Sequence, residues 1–150
     1  MKNGLKHVND FLEAESKRGN IDWLGNLHFA VLAFVPNMGG ANLYFTKIGN
    51  SKLWMARKGS LVDVGKNLES TKKGSKSAKV FGSVVSGKAL PNDRVFALTE
   101  DLFDVFVKED LLQGITDLEE EKQFQKLFKA KDRQLSASSG ILFYVLMEPE

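Results

Sequence analysis

Two adjacent carboxylates, Glu100 and Asp101, follow an apolar segment and are weighed as metal ligands below, where a family resemblance places them at a metal-site motif. Carboxylate oxygens are the ligands that Mg²⁺ and Mn²⁺ prefer, so one interpretation is a small metal site. The other is that both residues lie in the first turn of a helix, where the helix dipole favours negative charge. We adopt the second interpretation, and Asp104 and Asp110 fit solvated helix positions equally well.

Other catalytic chemistry has little support in the sequence, and we assign no catalytic and no cofactor-binding residue. His7 and His28 have no carboxylate or serine at the spacing of a catalytic set. The glycines at 39 and 40 lead into a predicted strand, whereas a phosphate-binding loop follows a strand and opens a helix. Cysteine is absent, which excludes thiol nucleophiles, thiolate zinc sites and disulfides.

The composition is that of an ordinary globular protein. With 150 residues, 43% hydrophobic and 27% charged, residues 1–150 are expected to form one domain. The net charge of +2 is too small to indicate a nucleic-acid surface. No apolar run is long enough to cross a bilayer, and the first residues have no secretory-type stretch, so no membrane association and a cytoplasmic location are expected.

The first half of the sequence reads as one helix followed by strands. Apolar residues at helical spacing predict an amphipathic helix over about residues 4–18, whose apolar stripe needs a sheet to cover it. Apolar, β-branched and aromatic residues predict strands over 27–35 and 43–48, with residues 36–40 as the hairpin turn. Two further strands at 53–57 and 61–64 complete a predicted antiparallel meander of four.

The second half mixes strands with helices. Residues 65–79 are rich in Lys, Ser and Gly; they could grip phosphate or an acidic partner by charge, although a solvated flap is the interpretation we adopt. Strands are predicted over 80–85, with a break at 86–87, and over 94–98. Thr99 is the expected cap of one helix, and Thr116 with Glu119 the capping box of a second. Residues 140–147 predict a buried strand, so the whole is an α+β fold with mostly antiparallel sheet.

Four segments carry a family resemblance. Residues 49–59 (GNSKLWMARKG) resemble the "GDSR…R.G" signature, and residues 92–102 (NDRVFALTEDL) resemble "D.lLLaSDGL.d". Both signatures are those of the PPM-type metal-dependent serine/threonine protein phosphatases. Residues 27–34 and 140–147 resemble two further strands of that family, and all four segments follow in the family's order. The resemblance implies a β-sandwich of two antiparallel sheets flanked by helices, with two metal ions at one end, and it covers the later part of the family fold.

The acidic positions of those signatures are largely missing. The family "SDG" appears as Thr-Glu-Asp at 99–101, the "DN" pair falls on Ser-Gly at 139–140, and "GDSR" carries Asn50 in place of its Asp. The first family segment, with another ligand, has no counterpart before Leu5. Residues 36–40 resemble "DGmGG" but lie between strands, so we predict a turn. A two-metal site needs several carboxylates to offset its charge, which Glu100 and Asp101 alone do not supply.

These departures predict a PPM-phosphatase-like domain without phosphatase activity, acting as a binding or regulatory module for a protein partner. The alternative is a divergent phosphatase that binds Mg²⁺ or Mn²⁺ through Glu100 and Asp101. A third hypothesis is a structural scaffold, or a domain completed by another chain. Open sheet edges make homo-oligomerisation an expectation too. Trp23 and Trp54 could mark a partner surface, but we expect them to be half-buried.

Overall fold

A computed structural model describes residues 2–23, 27–66, 68, 81–116, 118 and 120–148. Five helices and seven strands lie in these ranges. In chain order they are α1 (Lys2–Lys17), β1 (Phe29–Asn37), β2 (Gly40–Ile48), β3 (Lys52–Arg57), β4 (Ser60–Asp63), β5 (Val85–Ala89), β6 (Arg94–Leu98), α2 (Glu100–Lys108), α3 (Leu111–Thr116), α4 (Glu121–Ala130), α5 (Asp132–Leu135) and β7 (Leu142–Leu146). The strands form a three-stranded sheet, β1-β2-β5, and a four-stranded sheet, β4-β3-β6-β7. The predicted α+β class with two antiparallel sheets is confirmed.

The chain divides into two compact units, residues 1–51 with 65–88, and residues 52–64 with 89–150. In the first unit, β1 and β2 form the predicted hairpin, paired from Phe29↔Ile48 to Asn37↔Gly40. Gly39 and Gly40 have φ of 83° and 143°, a backbone region that favours glycine, which explains why the chain reverses there. The hairpin predicted at the "DGmGG"-like residues is therefore present, with the turn itself at residues 38–39 and residues 36, 37 and 40 paired in the strands.

Packing in the first unit follows the alternation of β2, where Ala41, Leu43 and Phe45 are buried. Helix α1 is joined to the segment before β5 by its Asn9 side chain, which accepts a hydrogen bond from Phe81 N at 2.9 Å and donates to Phe81 O at 3.0 Å. The apolar stripe expected on α1 is only partly covered, because Phe11 is 63% exposed.

The second unit is held by a core cluster between its sheet and its helices. Phe96 and Leu98 of β6 alternate towards this cluster, and Leu102 and Phe106 meet them from α2 because they lie four residues apart on one helix face. The apolar face of α4 packs against the same cluster through Leu127 and Phe128. Trp54 is half-buried, as expected, and stacks on Phe103 with ring centroids 5.7 Å apart.

Four local predictions were wrong. The four-strand meander does not form, because the chain changes sheets between β2 and β3. The strand expected at 80–85 is β5 at Val85–Ala89, and it runs through the predicted break at 86–87 because β5 lies beside β2. Thr116 ends α3 instead of capping the next helix, which starts after Glu120; Glu119, the expected partner of Thr116, lies outside the described residues. The last strand is not buried, since it is the end strand of its sheet.

Most of the Lys-rich stretch falls outside the described residues; within the described part, Lys66 is exposed and Leu68 is buried. No helix in the described ranges is long and apolar enough to span a membrane.

Candidate functional site

Three segments singled out by sequence meet at one end of the four-stranded sheet. The registers pair Lys52 with Leu98 and Leu98 with Leu142, so the start of β3, the end of β6 and the start of β7 lie side by side. This follows from antiparallel pairing, because each strand starts beside the point where its neighbour ends. The predicted "SDG"-like and "DN"-like segments are therefore brought together, as a shared site requires.

Thr99 joins the end of β6 to the segment before β7. Its backbone N–H donates to Ile141 O at 3.2 Å, and its Oγ1 accepts a hydrogen bond from Ile141 N at 3.3 Å. Thr99 occupies the N-cap position of α2, as predicted, in an extended conformation with φ −68° and ψ 156°. Its hydroxyl does not cap the helix, because it is committed to the neighbouring segment.

Gly140 is packed against the same turn. A Cβ on Gly140 would lie 2.6 Å from Thr99 Oγ1 and 2.9 Å from Leu102 Cβ, distances shorter than van der Waals contact. A side chain at position 140 thus requires the turn to move. The "DN"-like segment is therefore in close contact with this turn at residue 140, with no room there for a side chain.

The two carboxylates lie in the first turn of α2, as the adopted interpretation predicts. Glu100 Oε1 is 3.5 Å from the Lys52 ammonium, and the Glu100 side chain is 41% exposed. Lys52 also lies over the Phe103 ring, 5.6 Å from its centroid. Asp101 is exposed. The cation beside Glu100 is therefore supplied by the protein itself.

These residues do not fit a two-metal centre. Two divalent ions close together need several carboxylates to offset their mutual repulsion, and Mg²⁺ demands near-octahedral oxygen ligands. Across the part of the chain that the structure describes, no three His, Asp or Glu side chains are grouped closely enough to hold a metal ion. An ammonium beside Glu100 repels a dication in addition.

The remaining candidates have structural explanations. Gly49, at the start of the "GDSR"-like segment, has φ of 78°, and a Cβ there would collide with the His28 ring, so the position requires glycine. His28 lies directly before β1 and is exposed, and His7 is exposed on α1. Trp23 is half-buried and donates from Nε1 to Asn20 O at 2.8 Å.

The sequence interpretation overlooked a cavity of about 740 Å³ between the first turn of α4 and the end of β7. Its walls include the aromatic rings of Phe124 and Tyr144, whose centroids are 4.0 Å apart. Burial raises the pKa of the Tyr144 hydroxyl above its usual value, and the nearby Arg94 guanidinium offsets this only in part. The sequence carries the wall residues in two separate segments, Glu120, Glu121 and Phe124 in one and Tyr144 and Glu148 in the other. Only the fold brings the two segments together.

Comparison with known proteins identifies the fold. No protein-family model matches the sequence, and no curated protein matches it significantly. Solved structures do match: the phosphatase domain of the cell fate determinant SpoIIE from Bacillus subtilis, presoaked with manganese, superposes with a TM-score of 0.60 at 14% identity, covering 99% of this chain and 66% of that one. PppA, a regulatory component of the type VI secretion system in Pseudomonas aeruginosa, gives 0.60 at 14%, covering 97% and 67%.

The catalytic domain of the serine/threonine phosphatase PstP in complex with two manganese ions gives 0.55 at 14%, covering 94% of this chain and 67% of that one. All three are PPM-type phosphatase domains, so the fold predicted from the four motifs is confirmed. The chain spans about two thirds of the length of these structures. At this level of identity the likeness establishes the fold alone.

Proposed function

We propose that this chain is a PPM-phosphatase-like domain that does not hydrolyse phosphoesters and acts as a binding or regulatory module for another protein. The observation that carries the proposal is the ion pair between Lys52 and Glu100, at the sheet end where the resemblance predicts metal ligands. A positive side chain and a packed glycine at position 140 stand where a dinuclear centre needs negative charge and open space.

The second candidate is a divergent metal-dependent phosphatase. It is supported by the neighbours, two of which are described with manganese. In this candidate Glu100, Asp101 and nearby backbone oxygens bind Mg²⁺ or Mn²⁺. The ion pair argues against it, because Lys52 must be displaced before Glu100 can ligate a cation.

Two measurements on the whole chain separate these candidates. We expect calorimetric titration with Mn²⁺ to show no saturable binding, and incubation with a chromogenic phosphate ester and Mn²⁺ to show hydrolysis no faster than buffer. Manganese-dependent hydrolysis that disappears in a Glu100→Ala, Asp101→Ala double variant would refute the proposal. Asp104→Ala is the matched control, since Asp104 is an exposed acid on the same helix.

A Lys52→Met variant tests the role of the ammonium. Removing the positive charge lifts the repulsion but adds no ligand, so Mn²⁺ binding should remain undetectable. Saturable binding in this variant would show that the ion pair alone blocks a site that is otherwise complete. The Lys52–Glu100 ion pair would then be an inhibitory contact at an intact metal site, and the proposal that the chain lacks such a site would be wrong.

Three further parts of the proposal rest on sequence arguments. Residues 1–150 are taken as one domain, the location as cytoplasmic, and self-association as a property of the open sheet edges. Sedimentation at tens of micromolar protein tests the last of these, and a clean monomer would contradict it.

A further inference from the structure

Strand β7 is the end strand of its sheet among the described strands, with β6 on one side. Met147 N donates to Asp93 O, and Thr99 N donates to Ile141 O, so residues 141 and 147 face β6 with their backbone groups. Hydrogen-bonded positions alternate along an antiparallel pair. The backbone N–H and C=O groups of Leu142, Tyr144 and Leu146 therefore point away from β6, towards the free edge.

This edge lacks the protection that the other end strands carry. Natural sheets guard their edges with proline, charged side chains or short strands. Strand β1 contains Pro36, β5 contains Lys88, and β4 has four residues that end in Asp63. Strand β7 reads Leu-Phe-Tyr-Val-Leu, with neither a charge nor a proline. Such an edge is a template for another strand.

The two faces of β7 offer different chemistry to an added strand. On one face, Ile141 and Phe143 are 66% and 65% exposed. On the other, Tyr144 and Leu146 line the cavity described above, whose acidic walls are Glu120, Glu121 and Glu148 with Lys122 as the opposing charge. The cavity therefore carries a local excess of negative charge, although the whole chain has a net charge of +2.

We propose that the free edge of β7 binds an extended, basic segment of a partner protein as an additional strand. Main-chain hydrogen bonds supply the attachment, and alternate side chains fall on opposite faces. Apolar side chains pack on Ile141 and Phe143, while lysines or arginines reach the cavity, where their alkyl stems contact aromatic walls and their charged ends meet the glutamates. This inference rests on the proposed function and names the partner chemistry that the binding module takes.

Charge distinguishes this occupant from a second copy of the chain. A β7 strand paired with another β7 would bring the two sets of glutamates to the same edge, and like charges across paired strands are destabilising. A basic segment turns the same glutamates into attraction. The β7 edge is therefore assigned to a partner, any self-association of the chain is assigned to its other sheet edges, and self-pairing of β7 is an outcome that the test must exclude.

The probe is a short fluorescent peptide that alternates Lys with Val, titrated with the whole protein and followed by anisotropy. A peptide with Glu in place of every Lys is the charge control, and we expect it to bind about tenfold more weakly or worse. Raising the salt from about 50 mM to about 500 mM should weaken binding of the Lys peptide, because exposed charges are screened.

Strand pairing is tested separately by N-methylation of the peptide. One version is methylated at every Val nitrogen and another at every Lys nitrogen. Because alternate residues of a strand direct their N–H groups to opposite sides, only one version loses its bonds to β7. We expect that version to bind at least about tenfold more weakly and the other to stay within about threefold of the parent.

Protein variants locate the site. Phe143→Lys places a charge on the apolar face, and a Glu121→Lys, Glu148→Lys double variant reverses the cavity charge. Each should weaken binding about fivefold or more. The controls are Val62→Lys, which adds a charge at 45% exposure on the opposite edge strand, and Asp104→Lys, which changes charge outside the cavity. Both controls should bind like the parent, and circular dichroism checks that every variant is folded.

Four results would overturn the inference. They are equal binding of the Lys and Glu peptides, equal effects of the two methylation patterns, equal effects of Phe143→Lys and Val62→Lys, and a homodimer that Phe143→Lys dissociates in sedimentation. None of these readouts involves phosphatase activity. If the peptide does not bind as expected and no Mn²⁺-dependent hydrolysis is seen, the binding site on β7 is rejected and the proposed function stands. If hydrolysis is seen and the peptide binds as expected, the proposed inactivity is rejected and the binding site on β7 stands.

Discussion

Replacing either member of the ion pair between Arg57 and Asp93 should destabilise the fold more than the loss of an ordinary surface pair. Arg57 Nε donates to Asp93 Oδ1 at 2.8 Å and its Nη2 donates to Oδ2 at 2.6 Å, while Leu90 N donates to Oδ2 at 2.6 Å. Asp93 is only 2% exposed, and the Arg57 side chain is 33% exposed. The carboxylate thus ties β3 to the turn before β6.

The magnitude follows from which group is left without a partner. Asp93→Ala removes three hydrogen bonds and leaves Leu90 N without its acceptor, which we expect to cost about 2 to 4 kcal/mol. Arg57→Met leaves a buried carboxylate with one donor; because water reaches the arginine side, the cost should be smaller, about 1 to 3 kcal/mol. The hydrogen bonds from Arg57 to the Asp93 carboxylate raise the pKa of the Arg57 guanidinium above its usual value.

The assay is urea unfolding of the parent, both single variants and the double variant. Because the two residues bond directly, the double variant should lose less than the sum of the single losses, by about 1 to 2 kcal/mol. Lys17→Ala, which removes an exposed partner of Glu13, should leave the midpoint unchanged. Losses that add within about 0.5 kcal/mol would refute the argument that the pair acts as a unit.

Two further predictions concern the candidate site and the cavity. Gly140→Ala should cost about 1 to 3 kcal/mol, because the added Cβ meets Thr99 and Leu102, while Gly87→Ala, with open space around it, should stay within about 1 kcal/mol; equal effects in urea unfolding would contradict the close packing. Tyr144 has a folded pKa above its usual value of 10.0, so its contribution to stability is complete below that pH and is lost as the pH rises through the folded value. Relative to Tyr144→Phe, the parent should therefore lose unfolding free energy under strongly alkaline conditions, and identical alkaline profiles would show that burial does not perturb this hydroxyl.

Patterns set by local chemistry were predictable from the sequence. The hairpin between β1 and β2 follows from Gly39 and Gly40, and the β6 strand at Arg94–Leu98 follows from its apolar run after a turn. Partner choice between strands was not predictable. The tight turn at 49–51 suggests that β2 and β3 are neighbours, but β3 pairs with β4 and β6 instead. Strand β5 forms across Ser86 and Gly87 because the sheet supplies pairing that local propensity does not.

The site shows the same division. Motif order placed Glu100, Asp101 and positions 139–140 in one region, and the registers of β3, β6 and β7 confirm this. Neither the contact of the Lys52 ammonium with Glu100 nor the close approach of Gly140 to Thr99 was visible in the sequence, because each joins residues more than 40 positions apart.

These two contacts indicate that added carboxylates alone would not make a metal centre at this end of the sheet. A carboxylate added beside Glu100 would still share the site with the Lys52 ammonium, 3.5 Å from Glu100 Oε1, and a side chain at position 140 would collide with Thr99 and Leu102. Charge and packing therefore oppose the metal independently, one through repulsion and the other through space. The binding surface that we infer lies elsewhere, along the edge of β7 that faces no described strand.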